Sequence, residues 1–237
     1  MTLHDLTKEE LTDLLRAAEA AHGQYEKTVL GGVRDEEWAP VRPKLAAQCG
    51  EALAAIHRIP IDAAPELEHQ DQVIQFRDAL DLLDEPHPAF ELGFRWLERN
   101  RPPSERVGVV HGDFRLGNLI VGPDGLRAVL DWEIAHLGDP MEDLGWLCVK
   151  AWRFGAHPPV GGVGEYDELF GAYSAAAGVK VDPDAVHWWE VLGTLKWGVM
   201  CIMQASTHLN GFTRSVELAA IGRRVCENEH DLLQLLP

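Results

Sequence analysis

The stretch VVHGDFRLGNLIV, residues 109–121, decides how this chain reads. Two apolar runs flank a loop that sets His111, Asp113, Arg115 and Asn118 close together. A second stretch, AVLDWE at 128–133, brings another carboxylate, Asp131, to the end of an apolar run. VGVV (107–110), NLIV (118–121) and RAVL (127–130) are short and rich in β-branched residues, which favour a pleated, half-buried surface. GPDG between the last two supplies turn residues. The spacing therefore predicts a strand, a polar loop, a second strand, then a hairpin to a third strand that ends at Asp131.

Working outward, the rest of the chain is helical in pattern. Thr7 and Glu10 form a capping box, with Leu6 and Leu11 placed as its staple, and Leu11, Leu14, Leu15 and Ala18 give one apolar face. Residues 1 to about 30 thus read as one capped helix and its linker, fading near Gly23. GGVRDEEWAPVRP is a turn region, and Pro43 starts a helix carrying Leu45, Cys49, Leu53 and Ile56. Residues 70 to 83 and 88 to 99 predict two more helices, parted by DEPHP, and RNRPPSER is a loop. After the strands, MEDLGWLCVKAWRF predicts a helix entered at Asp139 and Pro140. Tyr166, Leu169, Phe170, Tyr173 and Ala177 mark the next, and 184 to 206 a long apolar one. Leu218, Ile221, Val225, Leu232 and Leu236 mark the last. Trp188, Trp189 and Trp197 fit core positions better than a ligand cage, and Arg223 and Arg224 fit a solvated face. The class is mainly α with a small β-hairpin region, an α+β arrangement.

Bulk properties exclude several functions. Net charge is -17, so a phosphate-rich nucleic acid is repelled. Cys49, Cys148, Cys201 and Cys226 stand far apart, with no CxxC pair, which argues against a zinc site and a disulfide-stapled fold and fits buried thiols in a reducing compartment. MTLHDLTKEEL lacks a basic patch followed by an apolar core, and VLGTLKWGVMCIMQAS is short for a bilayer and contains Lys196. The expectation is a cytoplasmic protein that engages neither membrane nor nucleic acid.

Carboxylates and amide oxygens are hard ligands that suit Mg²⁺. Mg²⁺ takes one or two protein carboxylates and leaves room for phosphate oxygens and water. Asp113, Asn118 and Asp131 beside the cation of Arg115 are therefore a sensible phosphoryl-transfer set. Asp and Asn are also ordinary loop residues, so the combination carries the case. His136 and Asp139 near Asp131 would suit a metal-dependent hydrolase instead, although Asp139-Pro140 also reads as a helix entry.

HGDFRLGN followed by VLDWE and HLGDPMEDLGWL closely resembles the aminoglycoside phosphotransferase family, small-molecule kinases of protein-kinase-like fold. Asp113 and Asn118 have the separation of its catalytic loop. The likeness runs, more loosely, from about GGVRDEEW to the C-terminus, so it implies a kinase-like helical C-terminal lobe over 31–237. It implies that Asp113 is the base or orients the acceptor hydroxyl, and that Asn118 and Asp131 hold Mg²⁺ on the phosphates of ATP. Arg115 would steady the transferred phosphoryl group. His111 would brace the loop and Asp143 would hold it from behind. Ile120 and Leu130 would floor the adenine pocket, or serve as plain strand core.

The N-terminal lobe of that pattern carries a glycine-rich flap and a strand Lys. Before residue 107 there is no GxGxxG, GGV at 31–33 is followed by charge and proline, and Lys27 sits in a single short candidate strand. The resemblance therefore implies a catalytic lobe without most of its ATP-clamping lobe. The surface left over would be covered by the N-terminal helix, a homodimer mate or a partner chain. Two functions follow: an ATP- and Mg²⁺-dependent phosphotransferase acting on a small-molecule hydroxyl, or a non-catalytic kinase-like binding or regulatory module. The acceptor reads as an aminoglycoside or, because LDWEIAHLGDPMEDLGW also looks like the kinase-like domains found beside acyl-CoA dehydrogenases, a hydroxylated acyl compound.

Overall fold

The structure is a computed structural model that describes residues 38–103 and 106–237. The capped helix of residues 1 to 30, Lys27 and the GGV segment lie outside the described residues.

Helices α1 (Arg42–Ile56) and α5 (Tyr166–Ala177) pack face to face. A Cβ on Gly50 would meet the Leu169 carbonyl at 2.6 Å and the Tyr173 amide nitrogen at 2.8 Å, so the missing side chain is what lets the two backbones approach. Leu45, Cys49 and Leu53 of α1 and Leu169 and Tyr173 of α5 are fully buried there, in one core with Phe114, Leu119 and Leu144. Helix α2 (Gln72–Leu83) is capped by Asp71, whose carboxylate accepts from the Val73 and Ile74 amides. With α3 (Pro88–Arg99), the 27-residue α6 (Pro183–Leu209) and α8 (Val225–Leu235) it builds a second core around Phe90, Phe94, Leu97, Val191, Leu195 and Leu232. Helix α4 (Met141–Cys148) lies on α6, close enough that a Cβ on Gly145 would stand 2.5 Å from the Trp189 Cβ.

The β residues form two separate antiparallel pairs. Strand β2 (Leu119–Gly122) and β3 (Gly125–Val129) make the predicted hairpin, with Leu119 opposite Val129 and a bulge at Ile120/Val121. Strand β1 (Gly108–Val110) pairs instead with β4 (His136–Gly138), Val109 opposite Leu137. Four corrections follow. HLG was not predicted as a strand, and β3 stops at Val129 rather than Asp131. The helix from Met141 stops at Cys148, because Val149 turns to φ -53°, ψ 132°, and resumes as a short 3-10 turn over Lys150–Arg153. The last helix is broken into α7 (Val216–Ile221) and α8 by a 3-10 turn at Gly222–Arg224.

Trp188 is buried in the second core and donates its indole N–H to the Leu97 carbonyl at 3.0 Å. Cys49, Cys148 and Cys201 are buried, whereas Cys226 is exposed, contrary to expectation. No helix among the described residues is long and apolar enough to cross a membrane.

Candidate active site

The loop after β1 is anchored by its apolar members. Phe114 is fully buried and Leu116 nearly so, which pins the chain while Asp113 and Arg115 between and beside them stay partly open. Gly112 makes the entry turn at φ +81°, and a Cβ there would stand 2.8 Å from the Ile134 carbonyl oxygen. A 3-10 turn, Leu116–Asn118, then hands the chain to β2.

Asp113 is the meeting point. Its Oδ1 accepts from Trp146 Nε1 at 2.8 Å and from Arg115 Nε at 3.0 Å. Its Oδ2 accepts from Asn118 Nδ2 at 2.7 Å. That same amide nitrogen donates to the Asp113 carbonyl at 2.9 Å, which orients Asn118 with its carbonyl Oδ1 as the atom left to face a cation. The guanidinium of Arg115 lies 5.1 Å from the Trp152 ring centroid, within cation–π range.

Asp131 reaches the site through the hairpin. The Leu130 amide donates to the Asn118 carbonyl at 2.8 Å, which extends the β2–β3 pairing by one residue, and Asp131 follows next in the chain. Asp131 is exposed and has φ +67°, a left-handed conformation that Asp tolerates better than most residues. Ile120 and Leu130 are half-buried on the same hairpin rather than sealed in the core.

Behind the loop His111 and Asp143 act as braces. His111 donates from Nε2 to the Leu130 carbonyl at 2.9 Å and accepts at Nδ1 from the Asp113 amide, which fixes its tautomer and ties the loop to the hairpin. Asp143 is fully buried. Its Oδ2 accepts from the His111 amide at 2.8 Å and from His57 Nε2 at 3.0 Å, and its Oδ1 from the Gly112 amide at 2.9 Å. Burial alone would push its carboxyl up, but the His57 bond and charge and the backbone donor outweigh it and hold it below the ordinary carboxylate range. His57 is in turn bonded through Nδ1 to the Tyr173 hydroxyl at 2.9 Å.

His136 and Asp139 do not assemble a hydrolase cluster. His136 is buried and bonded to the Ile134 carbonyl and to Glu142 Oε2, each at 3.0 Å, and Asp139 accepts from the Met141 amide. Among the described residues no three His, Cys, Asp or Glu side chains gather as a metal cage. The donor set suits Mg²⁺ on other grounds: the exposed carboxylate of Asp131 and the amide oxygen of the nearly buried Asn118 are both hard ligands.

Reading the residues alone missed His57, Trp146 and Lys196. Trp146 stood inside the quoted HLGDPMEDLGWL with no sign that its indole would reach Asp113. Lys196 had one signal, a lone charge in an apolar helix.

The family model described as "Phosphotransferase enzyme family" matches residues 8–189. A stretch of 82 residues, 34% of this chain, is 40% identical to the mouse (Mus musculus) "Acyl-CoA dehydrogenase family member 10" and spans 8% of that protein. In structure the chain resembles a provisionally assigned aminoglycoside phosphotransferase of Ralstonia eutropha, with TM-score 0.68, 21% identity, 80% of this chain covered and 64% of that one. It also resembles a choline/ethanolamine kinase family protein of Mesorhizobium loti, with TM-score 0.59, 18% identity and coverages of 82% and 62%. The chain thus spans less than two thirds of the length of these relatives. The two solved structures share its fold, a helical lobe of protein-kinase-like type with a small β region.

Proposed function

The chain belongs to the phosphotransferase enzyme family, and on that premise we propose that it transfers the terminal phosphoryl group of ATP to a hydroxyl of a small molecule, with Mg²⁺. The observation that carries the reading is the convergence on Asn118. Its amide nitrogen holds Asp113, and its backbone carbonyl accepts from the amide of Leu130, the residue before Asp131. A base and a cation site are thereby built on one residue's two polar groups.

In this reading Asp113 accepts the proton of the acceptor hydroxyl as that oxygen bonds to phosphorus and the bridging oxygen departs with ADP. Trp146 and Asn118 aim its two oxygens, so the base needs no reorientation during the step. Arg115, already against Asp113, places a positive charge beside the oxygens of the group in flight. Asn118 Oδ1 and the Asp131 carboxylate would hold Mg²⁺, which when bound neutralises phosphate charge. Ile120 and Leu130, half-buried on the hairpin, present apolar surface to the adenine.

The 40% identity to a protein named for acyl-CoA dehydrogenation favours a hydroxylated acyl compound as acceptor over an aminoglycoside. The test is transfer of label from γ-labelled ATP, with Mg²⁺, to a panel of hydroxyacyl thioesters and aminoglycosides. Label appears on a hydroxyacyl member and falls on the order of 100-fold or more in Asp113→Asn. Transfer no greater than in that variant, across the panel, would favour a kinase-like binding module.

A further inference from the structure

Lys196 is the one charged side chain in the stretch Val191–Ile202 of α6, and it is 5% exposed. A buried ammonium is costly to desolvate unless its surroundings answer its charge. Its Nζ lies 3.5 Å from Glu142 Oε1 and 3.4 Å from the Gly112 carbonyl oxygen, and 4.9 Å from the centre of the Trp146 ring. Charge pairing explains the first contact. It does not explain why the ammonium also stands against the two groups that set Asp113: the peptide that precedes it and the indole that bonds its Oδ1.

The geometry points to Lys196 as a positioning residue for Asp113, an inference that rests on the phosphotransferase reading above. Gly112 is held through both its backbone polar groups. Asp143 accepts its N–H, and Lys196 donates to its carbonyl. Glu142 and Asp143 are consecutive and both buried, and each heads one side of the clamp: Asp143 with His57 and Tyr173, Glu142 with His136 and Lys196. Without Lys196 the Gly112 carbonyl loses its donor and the Trp146 ring its cation, so two of the groups that set Asp113 each lose a contact. Lys196 lies beyond the matched residues 8–189.

Two variants separate positioning from mere charge balance. Lys196→Met keeps the apolar stem and removes the ammonium. Lys196→Met with Glu142→Gln also removes the carboxylate it neutralised. Two readouts are followed on folded protein: the indole N–H resonance of Trp146 by ¹⁵N NMR with its solvent exchange rate, and phosphoryl transfer split into kcat and KM. In both variants the Trp146 resonance shifts and exchanges at least ~10-fold faster. The kcat value falls on the order of 100-fold with KM for ATP within about 3-fold, as a misaimed base predicts. A double variant with the wild-type indole resonance, exchange rate and kcat would overturn the proposal, because Lys196 would then only balance Glu142. If the wild type itself transfers no phosphoryl group, the phosphotransferase reading fails while the indole readout still decides whether Lys196 orients the Trp146–Asp113 pair.

Discussion

Asp143 shows how much one carboxylate does here. It accepts from two backbone amides and a histidine, all buried. Asp143→Ala would strand those donors, and the expected loss is about 3–5 kcal/mol of unfolding free energy, read by denaturant titration. Because its folded carboxyl sits below the ordinary range, its contribution is present above that range and lost as pH falls through the folded value, so the acid limb of the wild type is steeper than that of Asp143→Asn. His136 has the opposite sign. Burial pulls its imidazole down, but the Glu142 bond and charge outweigh this and raise it. Its contribution is complete below about 6.5 and fades as pH rises through the raised folded value, so His136→Gln flattens stability over the neutral to alkaline range. The loop residues were legible because their roles sit in local spacing: Asp113 and Asn118 share one short turn. His57, Trp146 and Lys196 were not, since they reach the site across 86, 33 and 84 residues, and no local pattern encodes such a contact.

Among the elements, periodicity found the helices and the hairpin, and failed where a chain segment is too short to show a period. β4 is three residues long and ends in glycine, so strand propensity does not signal it, and its pairing with β1 joins segments far apart in the chain. The break after Cys148 is similar: apolar spacing continues through Trp152, but the backbone turns at Val149 and sends Trp152 against Trp146. Packing of α4 on α6 depends on Gly145. Gly145→Ala puts a methyl within 2.8 Å of the Glu190 amide nitrogen, and about 1–3 kcal/mol is lost. Gly171, exposed on α5, meets nothing within 4 Å, so Gly171→Ala gains up to about 1 kcal/mol from helix propensity. Thermal unfolding of the pair checks both signs.

At the scale of the whole molecule, a net charge of -17 opposes any anionic nucleotide. Arg115 answers it only locally. Raising salt from about 20 to 150 mM, which shortens the screening length to about 8 Å, therefore strengthens MgATP binding, the reverse of what a basic site does. The helical class was legible because it rests on long amphipathic segments. The division of the buried residues into separate cores was not, because which helix faces which is set by close approaches such as that of Gly50 of α1 to α5. The proposed function makes Asn118 and Asp131 a cation site on which ATP is held. It is tested most directly by calorimetric titration of MgATP into the folded chain and into Asp131→Asn. Saturable binding by the wild type, lost in the variant, is the expected result. Equal binding by both, or none by a wild type shown to be folded, would contradict it.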